Sequence, residues 1–244
     1  MFVPPELLVF AMLPPLGVLI GSLLAESIHT PKWAVGASLH ATAGVAIALV
    51  SIDIMPRLLS ESTILLIVMA FLVGAAISLL LANAFGSFRH RPSGRGASAG
   101  AWMVYMAVAT DLTSDGLMVG VGSAVGSQLG LLLASTQAIA NIPGGFAATS
   151  NFRDDGMPRS RRFVLIASMV APALLSVVLG YLVLRDASSQ IQSIALAVFM
   201  GILLLATIED IVPEGDEPEP PRWISTASFA GGFATFGMLS SLIR

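Results

Sequence analysis

Cysteine is absent from this sequence of 244 residues, and charged residues make up only 11% of it. Without cysteine the chain has no disulfide and no thiolate metal site, and the redox compartment stays open. The sequence also lacks a phosphate-binding loop and a catalytic triad, so we predict that the protein is not an enzyme and holds no prosthetic group. Its formal net charge of −3 at pH 7 is small, and no nucleic-acid partner is expected.

Apolar residues dominate what is present, at 55% of the chain with a mean hydropathy of +0.86. This composition lies outside the range of soluble globular proteins. Since a spanning helix needs about 20 mostly apolar residues, we predict an all-α integral membrane protein with eight transmembrane helices in one polytopic domain, 1–244. The predicted spans are 5–26, 34–57, 62–86, 99–124, 127–150, 162–184, 188–210 and 223–243.

The first residues, M-F-V-P-P-E, contain neither Lys nor Arg. A secretory signal peptide begins with a positively charged region. We therefore expect the first apolar stretch to be a retained helix.

The basic residues predict the orientation in the membrane. With eight spans, nine of the twelve Lys and Arg residues fall in one set of alternating loops, which the positive-inside rule makes cytoplasmic. Both termini are then outside, and the short loops suit a cell (inner) membrane. These nine residues are Lys32, Arg89, Arg91, Arg95, Arg153, Arg159, Arg161, Arg162 and Arg222.

A short motif occurs near the end of two predicted helices. Asp53-Ile54-x-Pro56 ends the second helix, and Asp210-Ile211-x-Pro213 ends the seventh. On the predicted topology the two copies lie on opposite faces of the membrane, as an inverted repeat requires. We predict a 3+2+3 arrangement, with two three-helix repeats, 1–87 and 161–244, around a central helix pair, 99–150.

The fourth predicted helix carries charge in the middle of its apolar stretch, in D-L-T-S-D-G (111–116). Asp111 and Asp115 are four residues apart, so they share one helix face, with Ser114 beside them. A carboxylate inside a membrane costs at least a few kcal/mol by insertion scales, so it normally faces other helices or water. Structural hydrogen bonding within the bundle is the alternative reading of these two residues.

The fifth predicted helix repeats this spacing with amides, in Gln137 and Asn141. Pro143 lacks an N–H, so we predict that it breaks the helix there and frees the backbone carbonyl of Ile139 four residues earlier. Carboxylate, amide and carbonyl oxygens along two adjacent helices predict a hydrophilic slot that suits a hard cation. Glycines spaced four apart predict that these helices pack closely, namely Gly116, Gly120, Gly122, Gly126 and Gly130.

These features resemble the ZIP family of divalent-metal transporters. That family has eight helices, outward termini and a variable cytoplasmic loop between helices three and four. Its fourth helix typically reads His-Asn-x-x-Asp-Gly and its fifth His-Asn-x-Pro-Glu-Gly. The chain matches at Asp115-Gly116, at Asn141-x-Pro143 and at Gly145.

The chain departs from the family at four ligand positions. Asp111 stands for the fourth-helix His and can still bind metal, but Leu112, Ala140 and Gly144 replace the other Asn, His and Glu. The resemblance therefore implies one oxygen-ligand metal site on Asp111, Asp115 and Asn141. Without imidazole, oxygen ligands suit manganese or magnesium as well as zinc or iron.

Several further polar residues have two readings each. His40 in the second helix is either a pathway ligand or a packed histidine. Asp53 and Asp210 are either gate ligands or interfacial charges. Asn141 fits a metal ligand and an interhelical hydrogen-bonding residue equally well, whereas Gln137 is interpreted as the latter more readily than as a ligand.

The sequence thus predicts a carrier that moves a divalent cation, such as zinc, iron or manganese, toward the cytoplasm by a rocking or elevator motion. Its expected partners are the metal ion and the lipid bilayer, and a homodimer is compatible with the sequence. The alternative is a ZIP-like fold that has lost transport, or changed its substrate, and serves as a binding or sensing protein.

Overall fold

The computed structural model describes residues 3–28, 31–89, 98–217 and 219–243, which form eight long helices without any strand. The all-helical prediction is confirmed for these residues. Two of the nine basic residues that assign the topology, Arg91 and Arg95, lie outside them. The helices are α1 (Pro5–Ser27), α2 (Lys32–Ala48, Leu49–Ile54 and Met55–Glu61), α3 (Ile64–Arg89), α4 (Ser98–Val125), α5 (Ser127–Asp154), α6 (Arg159–Ser168 and Val170–Leu184), α7 (Ser189–Ala206, Thr207–Ile211 and Val212–Asp216) and α8 (Arg222–Ile243).

Six of the helices in the described part of the chain are long and apolar enough to cross a membrane, namely α1, α2, α3, α6, α7 and α8. They are compatible with a multi-pass membrane protein. The other two, α4 and α5, carry the polar residues of the predicted slot. That all eight helices span the membrane remains a prediction.

Prolines fix where several helices begin. Pro4, Pro31 and Pro158 occupy the position before the first helical residue of α1, α2 and α6, and Pro5 starts α1 itself. Proline suits these positions because the first N–H groups of a helix have no intrahelical acceptor. At the start of α7, Ser188 instead caps the helix by accepting a hydrogen bond from the N–H of Ile191, at 3.4 Å.

The D-I-x-P motif coincides with a local change of helix type in both places. In α2 the segment Leu49–Ile54 is a π-helix, and in α7 the segment Thr207–Ile211 is one. Pro56 and Pro213 follow as the second residues of the next α-helical segments. A proline removes one backbone donor, and a wider π turn accommodates the interrupted hydrogen-bond pattern.

Four helix pairs make the most extensive contacts: α1 with α5, α4 with α6, α3 with α7 and α2 with α8. Further contacts join α1, α4, α5 and α6 into one four-helix group and α2, α3, α7 and α8 into another. The two groups meet chiefly where α2 packs on α5 and where α4 packs on α7. Helix α2 lies more centrally than α3 and α8. In α2, 67% of the most apolar 18-residue stretch is buried, against 22% in α3 and 17% in α8.

Glycines allow these pairs to approach backbone to backbone. A Cβ atom at Gly21 of α1 would lie 1.9 Å from the carbonyl oxygen of Ile142 on α5, and one at Gly145 would lie 2.1 Å from that of Val18. Small residues at helix contacts increase van der Waals packing, which drives helix association in membranes. The other pairs have the same reciprocal arrangement, at Gly120 and Gly180, at Gly74 and Gly201, and at Gly44 and Gly232.

Part of the glycine prediction assigned the wrong neighbour. Gly122 and Gly130 do lie at the contact between α4 and α5, against Leu133 and Ser123. Gly116 and Gly120 instead lie against Ser176 and Val177 of α6. Spacing along one helix shows which residues share a face, but it does not show which neighbour that face meets.

We expect Gly21→Ala to lower the free energy of unfolding by about 1–3 kcal/mol, because the added methyl group forces α1 and α5 apart. The measurement is thermal unfolding of the purified protein in detergent. Gly231→Ala is the matched control, since a Cβ at that position of α8 meets nothing within 4 Å. Equal losses in the two variants would contradict the close-packing argument.

Candidate functional site

One polar contact joins α4 and α5 in the interior. The Nδ2 of Asn141 donates a hydrogen bond to Oδ2 of Asp115 at 2.9 Å. Asp115 is 5% exposed and Asn141 is 6% exposed. The structure thus brings together two of the three metal ligands that the resemblance implies, and the amide donor compensates part of the cost of burying the carboxylate.

Asp111 lies one turn before Asp115 on the same helix and is exposed. The two carboxylates are close enough to interact electrostatically. Asp111 is also within electrostatic range of Asp210 and Glu214 on α7. Asp111 therefore lies within electrostatic range both of Asp115 and of the acidic residues near the end of α7. Ser114, beside Asp115 in the chain, is half-buried.

The face of α5 that carries Asn141 has room around it. Gln137, one turn earlier, is 3% exposed, and its Nε2 has no hydrogen-bond partner in the structure. A Cβ at Gly144, three residues after Asn141, would meet nothing within 4 Å. Pro143 is buried inside an uninterrupted α5.

Helix α2, which belongs to the group α2, α3, α7 and α8, contacts α5 beside Asn141. The hydroxyl of Thr42 on α2 donates to the carbonyl oxygen of Ala140 on α5, at 3.4 Å. Ala140 precedes Asn141 in the chain, so this turn of α5 lies at the junction between the two groups. Thr42 gave no signal in the sequence, because a hydroxyl in an apolar helix most often bonds to its own backbone.

His40 and Asp53 do not join the Asp115–Asn141 pair. His40 is 7% exposed, and its Nε2 lies 3.0 Å from Oδ1 of Asp216, the last residue of α7. Asp53 lines a cavity of about 40 Å³ together with Gln128 and Ser240. Gln128 is 13 residues before Asn141 on α5, which corresponds to about 20 Å along the helix axis.

An ion-pair cluster that sequence reasoning missed ties α1 to α6. Arg162 makes two charge-assisted hydrogen bonds to Glu26, at 2.6 and 2.8 Å, and Arg159 lies 3.6 Å from the same carboxylate. Arg153 of α5 donates to the carbonyl oxygen of Ala25 at 2.8 Å. Paired arginine and glutamate near helix ends were the available signal, but the arginines served only to assign topology.

Within the described ranges, no group of three or more His, Asp or Glu side chains is arranged to hold a metal ion. The arrangement present is one buried carboxylate–amide pair, a second carboxylate one turn away and two more on α7. Such a set offers hard oxygen donors, which suit a cation that keeps part of its water shell.

Compared with models of known protein families and with curated protein sequences, the chain matches none. The interpretation of this site therefore rests on its geometry and on the motifs of α4 and α5.

We expect Asn141→Ala to destabilise the protein by about 1.5–3 kcal/mol, because it removes the donor to a buried carboxylate. The measurement is thermal unfolding in detergent, with the exposed Asn151 of the same helix replaced by Ala as the control. In the double variant Asp115→Ala/Asn141→Ala the losses are expected not to add, because the two groups share one interaction. Additive losses would show that the two side chains act independently.

Proposed function

We propose that this protein is a ZIP-like membrane carrier that moves a divalent cation toward the cytoplasm. The observation that carries the proposal is the Asp115–Asn141 contact, a carboxylate and an amide buried between two helices of a bundle whose other helices are strongly apolar. Ionisable residues inside a membrane domain are costly and usually serve a pathway.

The donor chemistry supports a cation as the substrate. Asn141 uses its nitrogen on one oxygen of Asp115, which leaves the amide oxygen and the second carboxylate oxygen as acceptors at the same place. Asp111 adds a carboxylate one turn away. These oxygen donors suit manganese, and they also accept zinc or iron.

The acidic residues of α7 support a route that opens to the cytoplasmic face. Asp210 and Glu214, near the end of α7, interact electrostatically with Asp111. On the topology with both termini outside a cell membrane, α7 ends at the cytoplasmic face. A cation that leaves Asp115 would then pass these carboxylates on its way to the cytoplasm, driven by its gradient or by the membrane potential, at about 2.3 kcal/mol per charge per 100 mV.

The packing pattern supports an inverted repeat. Exchanging α1 with α6, α2 with α7, α3 with α8 and α4 with α5 converts the pair α1–α5 into α4–α6 and the pair α2–α8 into α3–α7. The two π segments, in α2 and α7, also exchange under this operation. Such symmetry is the usual basis of alternating access.

The contacts favour a particular division for the motion. Helices α1 and α6 pack on α4 and α5, so the moving unit would be this four-helix group, rocking or sliding against α2, α3, α7 and α8. The site lies where the two groups meet, near the Thr42–Ala140 contact. A displacement there would expose Asp115 to one side and then to the other.

A second candidate function is a ZIP-like fold that binds a cation without transporting it. It is favoured by the non-ligand residues at the family's metal positions: Leu112 is fully buried, and Ala140 and Gly144 carry no donor. A degenerate site of this kind would suit a binding or sensing protein.

In proteoliposomes we expect saturable uptake of Mn²⁺, Zn²⁺ or Fe²⁺, and we expect Asp111→Asn/Asp115→Asn to abolish it, because the substrate loses both carboxylates of α4. Flux is followed with a metal-sensitive dye inside the vesicles. The control is the double variant Asp154→Asn/Asp155→Asn, which makes the same change of charge at two exposed residues at the end of α5. Folded wild-type protein that takes up none of these cations would favour the binding or sensing function.

A new carboxylate at Gly144 should strengthen cation binding. We expect Gly144→Glu to raise the affinity for Mn²⁺ about tenfold, equivalent to about 1.4 kcal/mol, because open space at this position places the side chain on the face of Asn141. Titration calorimetry on the purified protein measures the change. Gly144→Gln, which adds the same volume without charge, is the control. The same affinity in both variants would show that this space is not part of the site.

A further inference from the structure

The last turn of α7 follows an interruption of the regular α-helical hydrogen-bond pattern. The π segment Thr207–Ile211 precedes it, and Pro213, the second residue of the turn, has no N–H to donate. A π turn and a proline each interrupt the i to i−4 pattern of an α-helix, and such interruptions are where a helix can change direction. Tertiary contacts therefore contribute to where the turn Val212–Asp216 lies.

One side-chain contact ties this turn to α2. Nε2 of His40 lies 3.0 Å from Oδ1 of Asp216, although 176 positions separate the two residues in the chain. The His40 side chain is 10% exposed and that of Asp216 is 68% exposed. His40 is buried, so the packing of α2 restricts its side chain. The exposed Asp216 side chain is restricted chiefly by its contact with His40.

The backbones support the same contact. A Cβ at Gly36 of α2 would lie 2.3 Å from the carbonyl oxygen of Gly215, and a Cβ at Gly215 would lie 3.3 Å from Nε2 of His40. The last turn of α7 therefore rests directly on the first turns of α2. Glycine at both positions is what makes room for the histidine to reach Asp216.

This contact has a consequence for the acidic group near Asp111. The turn that Asp216 ends also carries Glu214, and Asp210 lies in the π segment just before it. Both carboxylates are within electrostatic range of Asp111 on the other helix group. Any shift of the turn on α2 moves both of them relative to α4.

We infer that His40 is a positioning residue, which holds the end of α7 on α2 through Asp216 and so sets where Asp210 and Glu214 lie relative to Asp111. The inference rests on the proposed function in one respect, that these carboxylates line the route of the cation. His40 itself is then not a ligand of the route, and its effect on transport passes through the placement of α7.

The first test measures that placement without transport. Since the chain has no cysteine, Glu217→Cys and Asn151→Cys introduce two exposed spin-label sites, at the ends of α7 and α5. Double electron–electron resonance on the full chain then gives the distance distribution between them. We expect one narrow distance with His40 present, and a distribution that is broader or shifted with His40→Leu or Asp216→Ala.

Further variants separate a positioning role from simple packing. His40→Gln keeps an N–H donor toward Asp216 and is expected to retain the narrow distance. His40→Asp/Asp216→His restores the side-chain contact with its partners exchanged and is expected to recover the distance that either single change loses. Asp186→Asn is the control, because it removes an exposed carboxylate whose ion-pair partner is its sequence neighbour Arg185. An unchanged distance in His40→Leu and Asp216→Ala would overturn the inference.

The second test uses uptake into proteoliposomes with Mn²⁺ as the probe. We expect His40→Leu to raise KM about fivefold, the change in an equilibrium that corresponds to one lost hydrogen bond, with little change in the maximal rate. The exchanged pair should recover KM. If the distances change as expected but even the wild-type protein takes up no Mn²⁺, the proposed function fails while the positioning role stands. If His40→Leu changes KM but leaves the spin-label distances unchanged, the positioning role is wrong and the proposed function is not affected.

Discussion

The close approach of helix backbones at paired glycines is the constraint on which the rest of this structure depends. Between apolar helices in a membrane there is no hydrophobic driving force, so association relies on van der Waals contact over a close interface. Gly21 and Gly145 bring α1 against α5, and Gly120 and Gly180 bring α4 against α6. Helices α4 and α5, which also contact each other, are thereby each packed closely on a further helix, and these contacts help to place Asp115 and Asn141.

The site combines a satisfied pair with adjacent space. Asp115 is buried and receives a hydrogen bond from Asn141, which compensates part of the cost of burying its carboxylate. Around the pair, Gly144 leaves room and Gln137 keeps an amide nitrogen without a partner. In the proposed function, the remaining oxygen acceptors of the pair and the open space beside it would receive the cation. The contribution of α7 is a set of carboxylates whose position depends on His40.

The sequence predicted the helices well because each is a long apolar run bounded by charge, proline or glycine. Helix α5, predicted at 127–150, is Ser127–Asp154, and α7, predicted at 188–210, continues to Asp216. Both run past the predicted ends because the apolar criterion ends near charged residues, whereas the backbone hydrogen bonds continue beyond them. The proximity of Asp115 and Asn141 was expected because both lie on polar faces of helices that are adjacent in the chain. The partner of His40 was not, because nothing local to α2 refers to the end of α7.

The sequence by itself determined that the chain is helical, which residues share a face of each helix and where the polar groups of α4 and α5 lie along them. Those properties follow from hydropathy and from the fixed 3.6-residue period. The tertiary structure alone decided that Gly116 faces α6, that α1 and α6 group with α4 and α5, and that Asp216 meets His40. These contacts join residues far apart in the chain, and a single sequence shows which face a helix offers but not which helix covers it.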